Sequence, residues 1–226
     1  MVPTTTIENP QRIAVLLGAS GATGQKLLPL LLGDPRYSRV ITMSRRETGV
    51  RHGKLENRVV DFENLAAAFR DLKVDDCYCT FGTTIKIAGS EVAMTRIDHE
   101  WVLAFAKAGL TAGATRFAYL SAANANARSS VFYARLKGQT EDTLKTLGYA
   151  DLSIFRPSMI IAERTQRRWL ESLLFSVLPL IDTLMVGAFA KYRSIPVATL
   201  AKAIAILGCQ PGTGTKTYLR QDMVEA

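Results

Sequence analysis

Ile13-Ala-Val-Leu-Leu17 runs directly into Gly18-Ala-Ser-Gly21-Ala-Thr-Gly24, and a helical pattern, Thr23 to Leu32, follows at once. A short, wholly apolar run reads as a strand buried on both faces. Glycines between such a strand and a helix allow a tight turn and let backbone N–H groups approach a diphosphate, whose charge then faces a helix N-terminus. The spacing is G-x-x-G-x-x-G, one residue wider at its first gap than the common dinucleotide-binding fingerprint. The plain alternative is a glycine-rich turn without a ligand. Two other glycine motifs fail on spacing. A nucleoside-triphosphate loop needs Gly-Lys-Ser/Thr, whereas Gly24 is followed by Gln25-Lys26-Leu27. A hydrolase elbow, G-x-S-x-G, meets Ala22 at its second glycine.

Working outward, short apolar runs alternate with longer helical patterns, the signature of a parallel sheet built from βαβ units. Strands are expected at Val40 to Met43, Arg58 to Val60, Asp75 to Thr80, Phe117 to Leu120, Leu152 to Phe155 and Lys216 to Leu219. Helices are expected at Glu91 to Ala108, Val131 to Leu147 and Val197 to Leu207, with Gly33 and Gly148 as left-handed helix ends. The fold class is therefore α/β: a doubly wound, Rossmann-like parallel sheet in the order 3-2-1-4-5-6-7. It forms one domain over residues 1–226, with a small substrate or lid lobe at 157–196. Ligands in such sheets bind at the carboxyl ends of the strands, where the strand order reverses.

The 226 residues suit one α/β domain with an appended lobe. Apolar residues at 48%, charged residues at 21% and a mean hydropathy of +0.09 exclude a disordered, collagenous or coiled-coil chain. Lys+Arg 28 against Asp+Glu 20 leaves +8, which favours an anionic ligand or surface. Basic residues gather at Arg45 to Arg58 and Arg164 to Arg168 without a nucleic-acid reading motif or aromatic platform, so no nucleic-acid partner is assigned. Leu173 to Ile181 is apolar apart from Ser176, but Pro179 and Asp182 interrupt a stretch well short of the ~20 residues a spanning helix needs. It reads as a buried or lid-like helix, with membrane-surface association as the alternative. The polar N-terminus shows no signal peptide. Cys77 and Cys79 lie in an apolar run as buried small hydrophobes, and His52 and His99 stand apart from them. No metal is assigned, and the expected location is a reducing cytoplasm.

Beyond the second strand, an enzyme that prefers the unphosphorylated dinucleotide places Asp or Glu on the ribose hydroxyls. The residues here are Met43-Ser44-Arg45-Arg46. Guanidinium groups bind a 2′-phosphate bidentately, which points to NADP rather than NAD. A solvated basic turn is the alternative.

Tyr133-Ala-Arg-Leu-Lys137 places a phenol and an ammonium one helical turn apart. A phenol near pKa 10 exchanges protons poorly at neutral pH, and a nearby ammonium stabilises the phenolate. Tyr133 would then act as general acid–base on a carbonyl or alcohol. Ser121, at the carboxyl end of the fifth strand, would hydrogen-bond the same oxygen. A surface Lys beside a half-buried Tyr is the plain alternative.

Gly18–Gly24, Cys79-Thr-Phe-Gly-Thr-Thr84 and Phe155-Arg-Pro-Ser158 together resemble the short-chain dehydrogenase/reductase superfamily, in its atypical, Tat-interacting-protein-like branch; the likeness runs from about Ile13 to Leu207. The resemblance implies that Gly18, Ala19, Ser20, Gly21, Ala22, Thr23 and Gly24 hold the pyrophosphate. Arg45 and Arg46 would take the 2′-phosphate and Asp61 and Phe62 the adenine. Thr80, Phe81, Gly82 and Thr83 would flank the ribose, and Pro157, Ser158 and Met159 the nicotinamide. Lys137 would also bind the ribose hydroxyls. Ser121, Tyr133 and Lys137 form the catalytic set, with hydride moving between nicotinamide and a small carbonyl or alcohol substrate. Many relatives carry an Asn on helix four; the nearest residue here is Asp98. Some atypical members bind the dinucleotide as sensors or regulators, which is the alternative function. Residues 159–195 would bound an apolar carbonyl substrate, and the oligomeric state is open.

Overall fold

Arg12–Leu17 forms the central strand β1, and its side chains divide between two cores. Val15 and Leu17 enter one apolar cluster and Ala14 and Leu16 the other, so the strand is covered on both faces. The computed structural model describes residues 12–161, 194–208, 210–212 and 214–226. The basic residues Arg164, Arg167 and Arg168, the apolar stretch Leu173–Ile181 and most of the expected 157–196 lobe lie outside the described residues, as does the N-terminal segment.

On one side of β1 lies β2 (Tyr37–Ser44) and then β3 (Leu55–Val59); on the other lie β4 (Asp76–Cys79), β5 (Arg116–Leu120) and β6 (Asp151–Phe155). Ile160–Ile161 (β7) pairs only with Ile195–Pro196 (β8), and Gly214–Tyr218 (β9) closes the main sheet beside β6. The order is β3-β2-β1-β4-β5-β6-β9, all parallel. That is the expected topology, with β9 as the seventh strand. The edge strands β3 and β9 begin earlier than their apolar content suggests, because an edge exposed to solvent accepts polar residues such as Glu56, Asn57 and Lys216.

Helix α1 (Ala22–Gly33) packs on the face of Ala14 and Leu16 through Leu27, Leu28 and Leu31. The opposite face takes the short α2 (Leu65–Ala68). A further helix begins at Ile85–Ala88 (α3), and α4 (Glu91–Thr95) continues through a π-helical turn, Arg96–Glu100, into α5 (Trp101–Thr111). These last three run without a break, so the helix expected from Glu91 to Ala108 is present and ends at Thr111. Helix α6 (Phe132–Lys145) follows β5 on that face, while α7 (Val197–Leu207) and the terminal α8 (Arg220–Glu225) join α1. Gly148 has the expected left-handed backbone, φ +88°, but Gly33 does not. The chain leaves α1 at extended Asp34 instead, since Pro35 disfavours a helical residue before it. Among the described residues no helix is long and apolar enough to cross a membrane.

Candidate active site

The turn after β1 is as tight as its glycines allow. Gly18 has φ +95°, and a Cβ there would come within 2.7 Å of the Thr80 carbonyl carbon and the Phe81 nitrogen. A Cβ on Gly24 would lie 2.1 Å from the Gly18 oxygen, so helix and turn are in direct backbone contact. The Gly21 N–H donates to the Gly18 carbonyl at 3.0 Å, and Gly21 caps α1 with no side chain on the helix N-terminus. Ser20, Gly21 and Ala22 are exposed at this opening, while Ala19 and Thr23 are buried beneath it. Uncapped N–H groups at a helix start favour an anion. The Thr80 hydroxyl lies 3.3 Å from the Leu17 and Gly18 carbonyls, joining the end of β4 to the turn.

Beside the turn is a cavity of about 510 Å³ whose lining includes Gly18, Ser20, Met43, Arg45, Arg46, Phe62 and Phe81. Residues from the ends of four different strands thus meet in one place. Arg45 and Arg46 are exposed and form no ion pair among the described residues. The Ser44 hydroxyl donates to the Arg46 carbonyl and tightens their turn. Phe62 is buried, its ring edge-on to Phe81 at 5.0 Å and to Trp101 at 5.3 Å. Asp61 does not line this cavity. Its carboxylate accepts the Glu63 N–H at 3.0 Å and caps the turn that Phe62 begins.

A second cavity, about 430 Å³, includes Ser121, Asn124, Tyr133, Pro157, Ser158 and Met159 in its lining. Tyr133 is 37% exposed. Lys137, on the next turn of α6, is 3% exposed, with its ammonium 5.9 Å from the Tyr133 ring centre. It forms a 2.9 Å ion pair with Asp98 Oδ1 and donates to the Tyr119 hydroxyl at 3.2 Å. Burial alone would lower the Lys137 pKa, but Tyr119, Asp98 and Tyr133 outweigh it and hold the ammonium well above its usual range. The other Asp98 oxygen accepts the Thr83 N–H at 2.8 Å. A Cβ on Gly82 would lie 3.0 Å from Asp98 Oδ1, so glycine admits the loop after β4 over this pair.

Ser121 lines this second cavity with Tyr133, but its proton is already engaged. Its hydroxyl donates to buried Glu141 Oε1 at 2.5 Å, and Arg156 holds both oxygens of that carboxylate. The hydrogen bond to Glu141 and burial pull the Arg156 pKa in opposite directions, and the net effect is upward. A hydroxyl has one proton and two lone pairs, so with that proton on Glu141, Ser121 is left as an acceptor.

Asp98, Glu141 and Arg156 are the residues that motif reading left without a role. A signal for Glu141 was present: Tyr133, Lys137 and Glu141 are spaced by four and share one face of α6. For Asp98 the signal was its place near the helix-four Asn of relatives; its pairing with Lys137 was not legible, because its position depends on the π-helical turn, a feature often found at functional sites.

A doubly wound parallel sheet, a glycine turn after its first strand and a Tyr-x-x-x-Lys helix after its fifth define the class: a Rossmann-type dinucleotide-binding fold of the oxidoreductase kind. No protein-family model matches the chain. Protein HTATIP2 of Rattus norvegicus is 32% identical over 218 residues, 92% of this chain and 86% of that protein. "Protein FMP52, mitochondrial" of Meyerozyma guilliermondii is 30% identical over 206 residues, 90% and 88% of the two chains. The chain belongs to the atypical short-chain dehydrogenase/reductase family of HTATIP2 and FMP52. The structure of MoeE5 in complex with UDP-glucose and NAD shares the fold, with a TM-score of 0.68 at 12% identity over 94% of this chain and 79% of that one. The expectation of a cytoplasmic protein is overturned by the fungal relatives, which are named as mitochondrial. Cys77 and Cys79 are buried in β4 and do not specify a compartment.

Proposed function

We propose that the protein is an NADP-dependent oxidoreductase acting on a small carbonyl or alcohol compound, with Tyr133 as its acid–base. The observation that carries this reading is Tyr133 at the wall of a cavity, with a buried ammonium 5.9 Å from its ring and a glycine cradle at the same sheet edge. The cradle fits a dinucleotide: a side chain at Gly18 or Gly24 would collide with neighbouring backbone and force the tight turn apart, and the start of α1 has no side-chain cap. Arg45 and Arg46 would hold the 2′-phosphate, which supports NADP over NAD. When bound, the nicotinamide supplies or accepts the hydride.

Tyr133 moves the proton at the substrate oxygen, and the Lys137 ammonium favours the phenolate that is left by donation to a carbonyl and is needed to deprotonate an alcohol. Asp98 keeps Lys137 charged and anchors the loop after β4. Ser121, with its proton on Glu141, leaves the substrate proton to Tyr133. To donate to a carbonyl it must first turn from Glu141.

A second reading, an NADP(H)-binding regulator without turnover, is favoured by one observation. Asp98, 2.9 Å from Lys137, offsets part of the field that Tyr133 would feel. NADPH oxidation across a panel of aldehydes and ketones separates the two. In the first reading Tyr133→Phe lowers kcat by about 10²- to 10⁴-fold while NADP binding is retained. Unchanged turnover removes Tyr133 from the chemistry, and no turnover on any carbonyl leaves the regulator.

A further inference from the structure

Tyr133 borders a second space that the chemistry above does not use. On its other side is a pocket of about 500 Å³, walled by Thr84, Ile85, Met94, Val131, Phe132 and Tyr133 itself. Three segments build it: the loop after β4 with the start of α3, the helix α4, and the N-terminus of α6. Ile85 and Val131 are 50% and 58% exposed, a large apolar surface to leave to water beside a candidate reactive group.

We propose that this pocket binds the hydrocarbon chain of the substrate, so that the compound taken by this site is amphipathic. Its carbonyl or alcohol end lies in the cavity of Ser121 and its tail crosses the Tyr133 ring into the pocket of Ile85 and Val131. This rests on the oxidoreductase reading for the polar end; the tail site itself does not. Two observations favour a small molecule as the occupant. The volume is that of a ligand pocket, typically about 300–1,000 Å³. The pocket also shares Tyr133 with the Ser121 cavity, so one molecule can occupy both. The charged side chain in its lining, among the described residues, is Glu91, which repels a carboxylate head and orients the tail with its polar end toward Tyr133.

The test uses the full chain with NADP bound and straight-chain primary amides from butanamide to octanamide, which carry the polar end and the tail but are not reduced. Binding is read by calorimetry. Each added methylene should lower Kd by about fourfold until the pocket is filled, and Ile85→Asp and Val131→Asp should each abolish that increment. Both positions are exposed, and retained NADP binding shows that the variants are folded. Affinity independent of chain length overturns the proposal, as does an increment that survives in both variants. A wild-type dimer that either substitution dissociates also overturns it, because a second copy then covers the surface. Length-dependent amide binding without reduction of the corresponding aldehydes by NADPH leaves the tail site standing and removes the oxidoreductase reading.

Discussion

Asp98 and Lys137 meet as a buried ion pair, 2.9 Å from Oδ1 to Nζ, beneath the partly exposed Tyr133. The carboxylate lies on a π-helical turn and the ammonium on α6, so the pair ties two helices together and, through Thr83, ties both to the loop after β4. Removing one member of such a pair leaves the other charge buried and uncompensated, at a cost of about 3–5 kcal/mol. Asp98→Ala should lower unfolding stability by that amount in urea. Asp98→Asn, which can still accept the Thr83 N–H, should cost less. A loss below about 1 kcal/mol for the alanine variant contradicts the ion-pair account.

The charge at the rim of the first cavity makes a cofactor prediction. Arg45 and Arg46 have no carboxylate partner among the described residues, so a 2′-phosphate meets them without breaking an existing pair. Hydrogen bonds to a charged group are worth about 1.5–3 kcal/mol. Replacing both with Ala should weaken NADP by at least about tenfold and leave NAD little changed, as read by fluorescence titration. Tighter NAD than NADP binding in the unsubstituted protein removes this assignment.

Glu141 holds Ser121 and Arg156 together in the interior. Glu141→Ala strands the Arg156 guanidinium and should destabilise by about 3–5 kcal/mol. It also frees the Ser121 proton to donate to a carbonyl oxygen, so with NADP bound the variant should gain affinity for a primary amide relative to the alcohol of the same chain length. An unchanged ratio of the two affinities contradicts the assignment of the Ser121 proton to Glu141.

Two glycines of α1 should behave in opposite ways. At Gly24 a methyl group meets the Gly18 oxygen at 2.1 Å, so Gly24→Ala should displace the turn, cost about 1–3 kcal/mol and weaken dinucleotide binding. At Gly33 a Cβ meets nothing within 4 Å and φ is not positive, so Gly33→Ala should be neutral or stabilising by up to about 1 kcal/mol. Thermal melts with and without NADP distinguish the two.

His99 supplies a pH dependence. Burial lowers its pKa below the usual 6.5, with Lys107 acting in the same sense and Glu100 opposing. The folded state therefore binds this proton less readily than the unfolded chain does. The associated stability is complete above pH 6.5 and declines as pH falls through the lowered value. Its Nδ1 lies 2.9 Å from the Thr140 hydroxyl, so His99→Gln keeps a polar contact there and should flatten the fall in Tm between pH 7 and pH 5. An equally steep fall in the variant assigns the acid sensitivity to other groups.

The sheet was legible because its signals are local. A strand buried on both faces must be apolar throughout, as Ile13–Leu17 is, and only glycines permit backbone contact of the kind found at Gly18 and Gly24. The same locality explains the misreadings. β3 and β9 are polar because edges face water, and Gly33 is not left-handed because Pro35 sets the helix exit one residue later.

By itself, then, the order of residues was enough for the parallel sheet, the turn at the end of β1, the arginines after β2 and the shared face of Tyr133 and Lys137, since each depends on neighbours within a few positions. The tertiary structure alone decided that Lys137 is paired with Asp98, that the Ser121 proton goes to Glu141, and that Tyr133 separates two pockets. The two polar contacts join residues 39 and 20 positions apart, and which hydrogen bonds a buried polar group makes is set by what the packed chain brings within about 3 Å of it.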